Sequence, residues 1–164
     1  MTDAKQILVL GVGNVLYTDE GLGVRAVEAL QQQYRFSNNV TLMDGGTLGM
    51  RLMDSMMHAD YLIVVDAVLG GDTPTSVYRL TGDDLRKSLG FNDSMHQTDL
   101  VDTLIYCELA GSRPDTVVIG MEPVDYHSMG TEVSPAVAQK LPDMCRIVLK
   151  EVEAAGGTYV PADA

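Results

Sequence analysis

The chain has 164 residues, 46% hydrophobic and 21% charged, which is ordinary for a globular protein and enough for one full core. Its formal net charge of -12 argues against nucleic acid or an anionic membrane surface as partner; solubility is the plainer reading of it, and a preference for cationic partners or metal ions the sharper one. No apolar run is long enough to span a bilayer, Met1–Gln6 carries no secretory h-region, and Cys107 and Cys145 are spaced as neither a disulfide framework nor a zinc knuckle, so one cytoplasmic domain over residues 1–164 is expected.

Ile7–Leu10 is a continuous apolar run ended by glycine, the pattern of a strand buried on both faces. Gly21–Tyr34 places Leu22, Val24, Ala26, Val27, Ala29 and Leu30 among polar residues, which predicts a helix with one apolar face. Val40–Asp44 reads as a second strand stopped by Gly45-Gly46. A methionine-rich helix follows, ending near His58, with Met50, Met53, Met56 and Met57 read as core packing ahead of an adaptable apolar binding surface. Tyr61–Val65 is a third buried strand, stopped at Asp66. Ser76–Leu80 reads as an edge strand, and Asp83–Ser88 as a short acidic helix. Met95–Ala110 predicts a further helix and Thr116–Met121 the last central strand. Ser134 as N-cap with Pro135 in the first turn opens a helix to about Ala155, ended by Gly156-Gly157, and a short tail remains.

Strands alternating with helices in this way predict an α/β fold. It is a doubly wound, mainly parallel twisted sheet of about five strands with helices on both faces. In such a sheet ligands bind beyond the carboxyl ends of the strands. The Gly11 loop, Asp44 and Asp66 all stand at those ends, and all three are expected on one rim.

Gly11-Val12-Gly13 resembles the start of a dinucleotide loop, but Leu16 replaces the third glycine of G-x-G-x-x-G. Asp19 and Glu20 then stand before the helix, where carboxylates repel a pyrophosphate that the helix N-terminus would attract. A second reading makes the same acids an asset. Glu20, Asp66 and His96 supply two carboxylates and an imidazole, a donor set suited to nickel, zinc or a neighbouring divalent ion with positions left open. Capping and loop hydrogen bonding are the plainer roles for the same residues. Asp44, in Asp44-Gly45-Gly46-Thr47, is a candidate general base or an N-cap. His127 lies on the loop after the last central strand and so on the same rim. No G-x-S-x-G, H-E-x-x-H or Walker loop occurs.

Together, "ILVLGVGNVLYTDEGLGVRAVEAL", "DGGTLGMRLMD", "YLIVVDAV", "MHQTDL", "GMEP" and "GTEVSP" resemble the hydrogenase maturation endopeptidases. These enzymes cut a C-terminal extension from the large subunit of nickel–iron hydrogenases. The blocks run in order through nearly the whole chain, and only Val133, where leucine often precedes Ser-Pro, departs mildly. The resemblance implies that Glu20, Asp66 and His96 take the family's metal-binding positions. It also implies that the ion they engage is nickel carried by the immature substrate, with zinc or another divalent ion able to substitute. By the same resemblance Asp44 is a candidate for catalysis or for shaping the cleavage cleft. From the residues themselves, Gly45 and Gly46, which let backbone come close to a bound chain, and His127, otherwise a solvent-facing loop residue, are the substrate-binding candidates. The implied partner is the large-subunit precursor, with no nucleic acid and no membrane. Two rivals stay open: a nickel- or precursor-binding maturation chaperone that does not cut, and a nucleotide-binding oxidoreductase.

Overall fold

The computed structural model describes residues 4–46, 50–91 and 99–163. In chain order the elements are β1 (Ile7–Val12), α1 (Leu22–Gln33), β2 (Tyr34–Phe36), β3 (Val40–Gly46), α2 (Met50–Met57), β4 (Tyr61–Ala67), β5 (Val77–Leu80), α3 (Leu100–Leu109), β6 (Asp115–Met121), α4 (Pro135–Ala155) and β7 (Tyr159–Pro161). Short 3-10 turns lie at Thr18–Gly21, Gly82–Lys87 and Leu89–Phe91.

Five strands form the main sheet in the order β3-β1-β4-β6-β5. The first four run parallel and β5 runs antiparallel at the edge. Side-chain alternation divides every central strand between two cores. Ile7, Val9, Ile63, Val65, Val117 and Ile119 face a core completed by α1 and α4. Leu8, Leu10, Leu62, Val64 and Val118 face the other, completed by α2 and α3. The chain passes from β1 outward to β3 and then back across to β4, so the winding reverses between β1 and β4. A reversal of this kind opens a crevice at the carboxyl ends of the two strands.

Several predicted boundaries move, each for a visible reason. The third strand does not stop at Asp66: the ladder with β6 continues through Asp66↔Gly120 to Ala67↔Met121. Nor do the glycines stop β3. Gly11 pairs with Asp44 and Val12 with Gly46, which leaves Gly45 as a bulge lying on the Leu10 side chain. The acidic helix at Asp83 is a 3-10 turn. Helix α3 begins at Leu100 behind a capping box made by Asp99 and Asp102. Ser134 stands at the cap position of α4, but its side chain does not cap; the hydroxyl is used elsewhere. The short tail forms β7, which pairs antiparallel with β2. Tyr34, Phe36 and Tyr159 hold that ribbon with ring centroids 5.3 to 6.3 Å apart.

Candidate active site at the carboxyl rim of the sheet

The rim is built by glycines that let backbone lie on backbone. Gly13 has φ +125°, and a Cβ there would fall 1.9 Å from the Glu20 carbonyl oxygen and 3.7 Å from Asp66 Oδ1. Gly23, in the first turn of α1, lies against β4: a Cβ would meet the Val65 carbonyl oxygen at 2.0 Å and Asp66 Cα at 2.9 Å. The loop after β1 is thereby pressed onto the end of β4, and the Glu20 backbone and the Asp66 carboxylate border the same glycine. The close approach that Gly13 permits is taken by the chain's own carbonyl. A dinucleotide loop keeps that space for pyrophosphate.

Asp66 is fully buried. Its Oδ1 accepts from the Ala67 amide at 2.8 Å, and its Oδ2 accepts from the Ser88 hydroxyl. Ser88 is itself buried and is fixed by a β-bridge to Val68. These neutral donors stabilise a buried carboxylate without neutralising it. Glu20 is half-buried in the 3-10 turn that feeds α1, where the dipole favours an acid. Asp44 stands exposed at the end of β3. Strand β1 separates it from β4, which puts the two strand ends roughly 10 Å apart at the usual strand spacing. His127 is exposed on the loop after β6, its ring centroid 4.0 Å from that of Tyr126. His96 lies outside the described residues. Among the described residues, no three His, Cys, Asp or Glu side chains gather in a metal-ligating group.

Two buried carboxylates organise the loops around this row, and sequence reasoning assigned neither. Asp19 is fully buried. Its Oδ2 accepts from the amides of Val124 and Asp125 at 3.0 and 2.9 Å and from the Ser134 hydroxyl at 2.8 Å. Its Oδ1 accepts from the Ser134 amide at 2.7 Å. Glu122, also buried, accepts from the amides of Gly70 and Asp72 at 3.1 and 2.9 Å and from the Tyr78 hydroxyl at 3.0 Å. The Tyr78 hydroxyl also donates to Asp72 Oδ2 at 2.8 Å, and burial together with the Asp72 and Glu122 carboxylates pushes the phenol well above its ordinary value. On the surface of the same loop, the Ser128 and His127 amides donate to Asp125 and hold its carboxyl below the usual range. The Asp-Glu pair at 19–20 is visible in sequence, but nothing there tells which acid turns inward. Ser88 carries no signal at all, because its role depends on a contact 22 residues away.

A sequence profile described as hydrogenase maturation protease matches residues 24–151. The chain belongs to the hydrogenase maturation protease family. It is 39% identical to the hydrogenase expression/formation protein HupD of Thiocapsa roseopersicina over 152 residues, 92% of this chain and 69% of that protein. It is 34% identical to the hydrogenase 2 maturation protease of Escherichia coli over 161 residues, 97% and 98% of the two chains. Among solved structures, the hydrogenase maturating endopeptidase HybD of Escherichia coli superposes with a TM-score of 0.85 at 31% identity, covering 96% of this chain and 98% of that one. The sheet order and winding described above are those of this protease fold. Among the described residues no helix is long and apolar enough to cross a membrane.

Proposed function

We propose that this hydrogenase maturation protease is a cytoplasmic endopeptidase that removes the C-terminal extension from the nickel-loaded precursor of a nickel–iron hydrogenase large subunit. The observation that carries this reading is the juxtaposition, through Gly13, of the Glu20 turn and the buried Asp66 carboxylate at the winding reversal of a protease-family sheet. Oxygen donors held this way suit a borderline divalent ion, and His96 would add an imidazole from the segment before α3. The net charge of -12 further favours a cation-bearing substrate.

Nickel belongs to the substrate, where it would offer an anchor or a Lewis acid beside the scissile bond, and zinc or another divalent ion would stand in for it. The chain's own groups do the rest. Asp66 is held in one orientation by Ala67 and Ser88, so it meets an arriving cation without reorganising. Glu20 is fixed at the head of α1. Asp44, across β1, is placed to accept a proton from attacking water once the precursor covers that exposed end of β3. The Gly45 bulge and Gly46, with φ +44°, let a peptide run close past the strand end, and His127 borders it from the loop after β6. Only a loaded precursor completes the metal site, so cleavage reports that loading is finished.

The test is incubation with nickel-loaded precursor, read by gel mobility and by the mass of the released peptide. A faster-migrating large subunit with a peptide of matching mass is expected. An unshifted subunit that nevertheless binds the chain identifies a chaperone, and saturable nicotinamide-dinucleotide binding unaffected by Glu20→Gln identifies an oxidoreductase.

A further inference from the structure

The loop between β6 and α4, residues 122–134, is joined to the loop after β1 by a dense set of contacts centred on one side chain. Asp19 alone accepts four hydrogen bonds, from Val124, Asp125 and Ser134, all on that loop. The Asp19 amide donates back to the Asp125 carbonyl at 2.9 Å. Its neighbour Thr18, at φ +51°, donates from its amide to the Gly130 carbonyl and from its hydroxyl to the Ser128 carbonyl. A β-branched residue adopts that conformation only where its surroundings enforce it. From α1, Arg25 reaches the Thr131 carbonyl at 2.7 Å.

The two loops so joined, with the Gly130 amide donating to the Leu16 carbonyl and Tyr17 bridged to Gly130, carry four exposed apolar side chains. Leu16 and Tyr17 come from the first loop, Val124 and Met129 from the second, and Met129 is 77% exposed. Exposed apolar side chains grouped around a polar site mark a surface that a partner covers. The next residue after Asp19 is Glu20, so one peptide unit separates the joint from the proposed site.

We infer that Asp19 is a positioning residue for precursor binding: it locks loop 122–134 against the Glu20 turn, so that the Leu16, Tyr17, Val124 and Met129 edge is preformed to dock the folded nickel-loaded precursor. This inference rests on the function proposed above. The occupant is the precursor because the two loops that carry these side chains also carry Glu20 and His127, which the proposed function sets against the precursor. Preforming the loop removes the ordering cost that binding would otherwise carry. A carboxylate suits the task because it accepts at every lone pair. With Asp19→Asn, an amide N–H₂ would face either the Ser134 amide or the three donors at Oδ2.

The experiment measures kcat and KM for processing, and Kd for the precursor, in wild type, Asp19→Asn, Ser134→Ala and Ser134→Thr. Asp19→Asn is expected to raise KM and Kd about tenfold with kcat within about twofold, and to make loop 122–134 selectively sensitive to protease. Ser134→Ala, which removes one of the four donors, should move KM and Kd in the same direction by a smaller factor, and Ser134→Thr should restore them. It carries the test if Asp19→Asn does not fold. A merely structural role gives the opposite split: fewer active molecules, a lower kcat and an unchanged KM and Kd. That result overturns the inference. Wild type that binds precursor without cutting refutes the proposed function while the Kd comparison still decides this one. Wild type that does neither overturns both.

Discussion

At the scale of single residues, side chains that look alike in sequence do separate work. Asp19, Glu20 and Asp66 are three acids at one rim, yet Asp19 is spent on loop amides and the Ser134 hydroxyl, whereas Ala67 and Ser88 orient Asp66. Glu20→Gln, Asp66→Asn and His96→Gln keep size and polarity while removing the charge or basicity a cation needs. Each is expected to lower processing about a hundredfold or more with the circular-dichroism melting curve essentially retained. Normal processing by all three variants would refute the assigned site. Ser88→Ala is expected to lower processing about tenfold, since it removes one of the donors that orient Asp66. Away from the site, burial pushes the Cys145 thiol up to about 11. A raised thiol pKa means that the native state favours the protonated form. Its contribution is complete below the unfolded thiol's value of about 8.5 and fades as pH rises through the folded value. The stability advantage of wild type over Cys145→Ala should therefore shrink between about pH 9 and 11 in parallel denaturant titrations.

At the scale of elements, legibility follows the length over which a pattern repeats. Strand β1 and helices α1 and α4 are readable because each carries its apolar period for several residues, and because Pro135 and Gly156 mark the ends of α4. Gly156 indeed takes the left-handed conformation, φ +104°, expected of a helix-ending glycine. The ribbon of β2 and β7 is invisible in sequence, since three-residue strands more than a hundred positions apart leave no local period. The Gly45 bulge is equally hidden, because a glycine pair reads as a stop whether the strand ends or bends. Ser134 reads as a cap, but the stronger acceptor, a buried carboxylate on another loop, claims its hydroxyl. Glycine also gives this level its sharpest test. Gly→Ala within a helix ordinarily stabilises by up to about 1 kcal/mol. At Gly23 the added methyl would meet the Val65 carbonyl oxygen at 2.0 Å, so the sign reverses. Gly23→Ala is expected to destabilise by about 1–3 kcal/mol in chemical denaturation, and to reduce processing by lifting α1 off the end of β4.

At the scale of the whole molecule, the parallel sheet and its two cores are legible from the alternation of elements and from the two-residue period of the strands. The strand order β3-β1-β4-β6-β5 then places the reversal of winding where Gly13, Glu20 and Asp66 meet. What sequence does not supply is the network behind that meeting point. Asp19, Ser88 and Glu122 act across long separations, and each gains its role only when the sheet is assembled. The proposed function requires this rim to read nickel on the precursor before the chain cuts. It is tested most directly by giving the protein nickel-loaded and metal-free precursor side by side, with Glu20→Gln as the companion enzyme, and quantifying the shortened large subunit. Shortening of the loaded precursor by wild type alone is expected. Equal cleavage of metal-free precursor, or a wild-type rate from Glu20→Gln, would rule out nickel recognition at this rim.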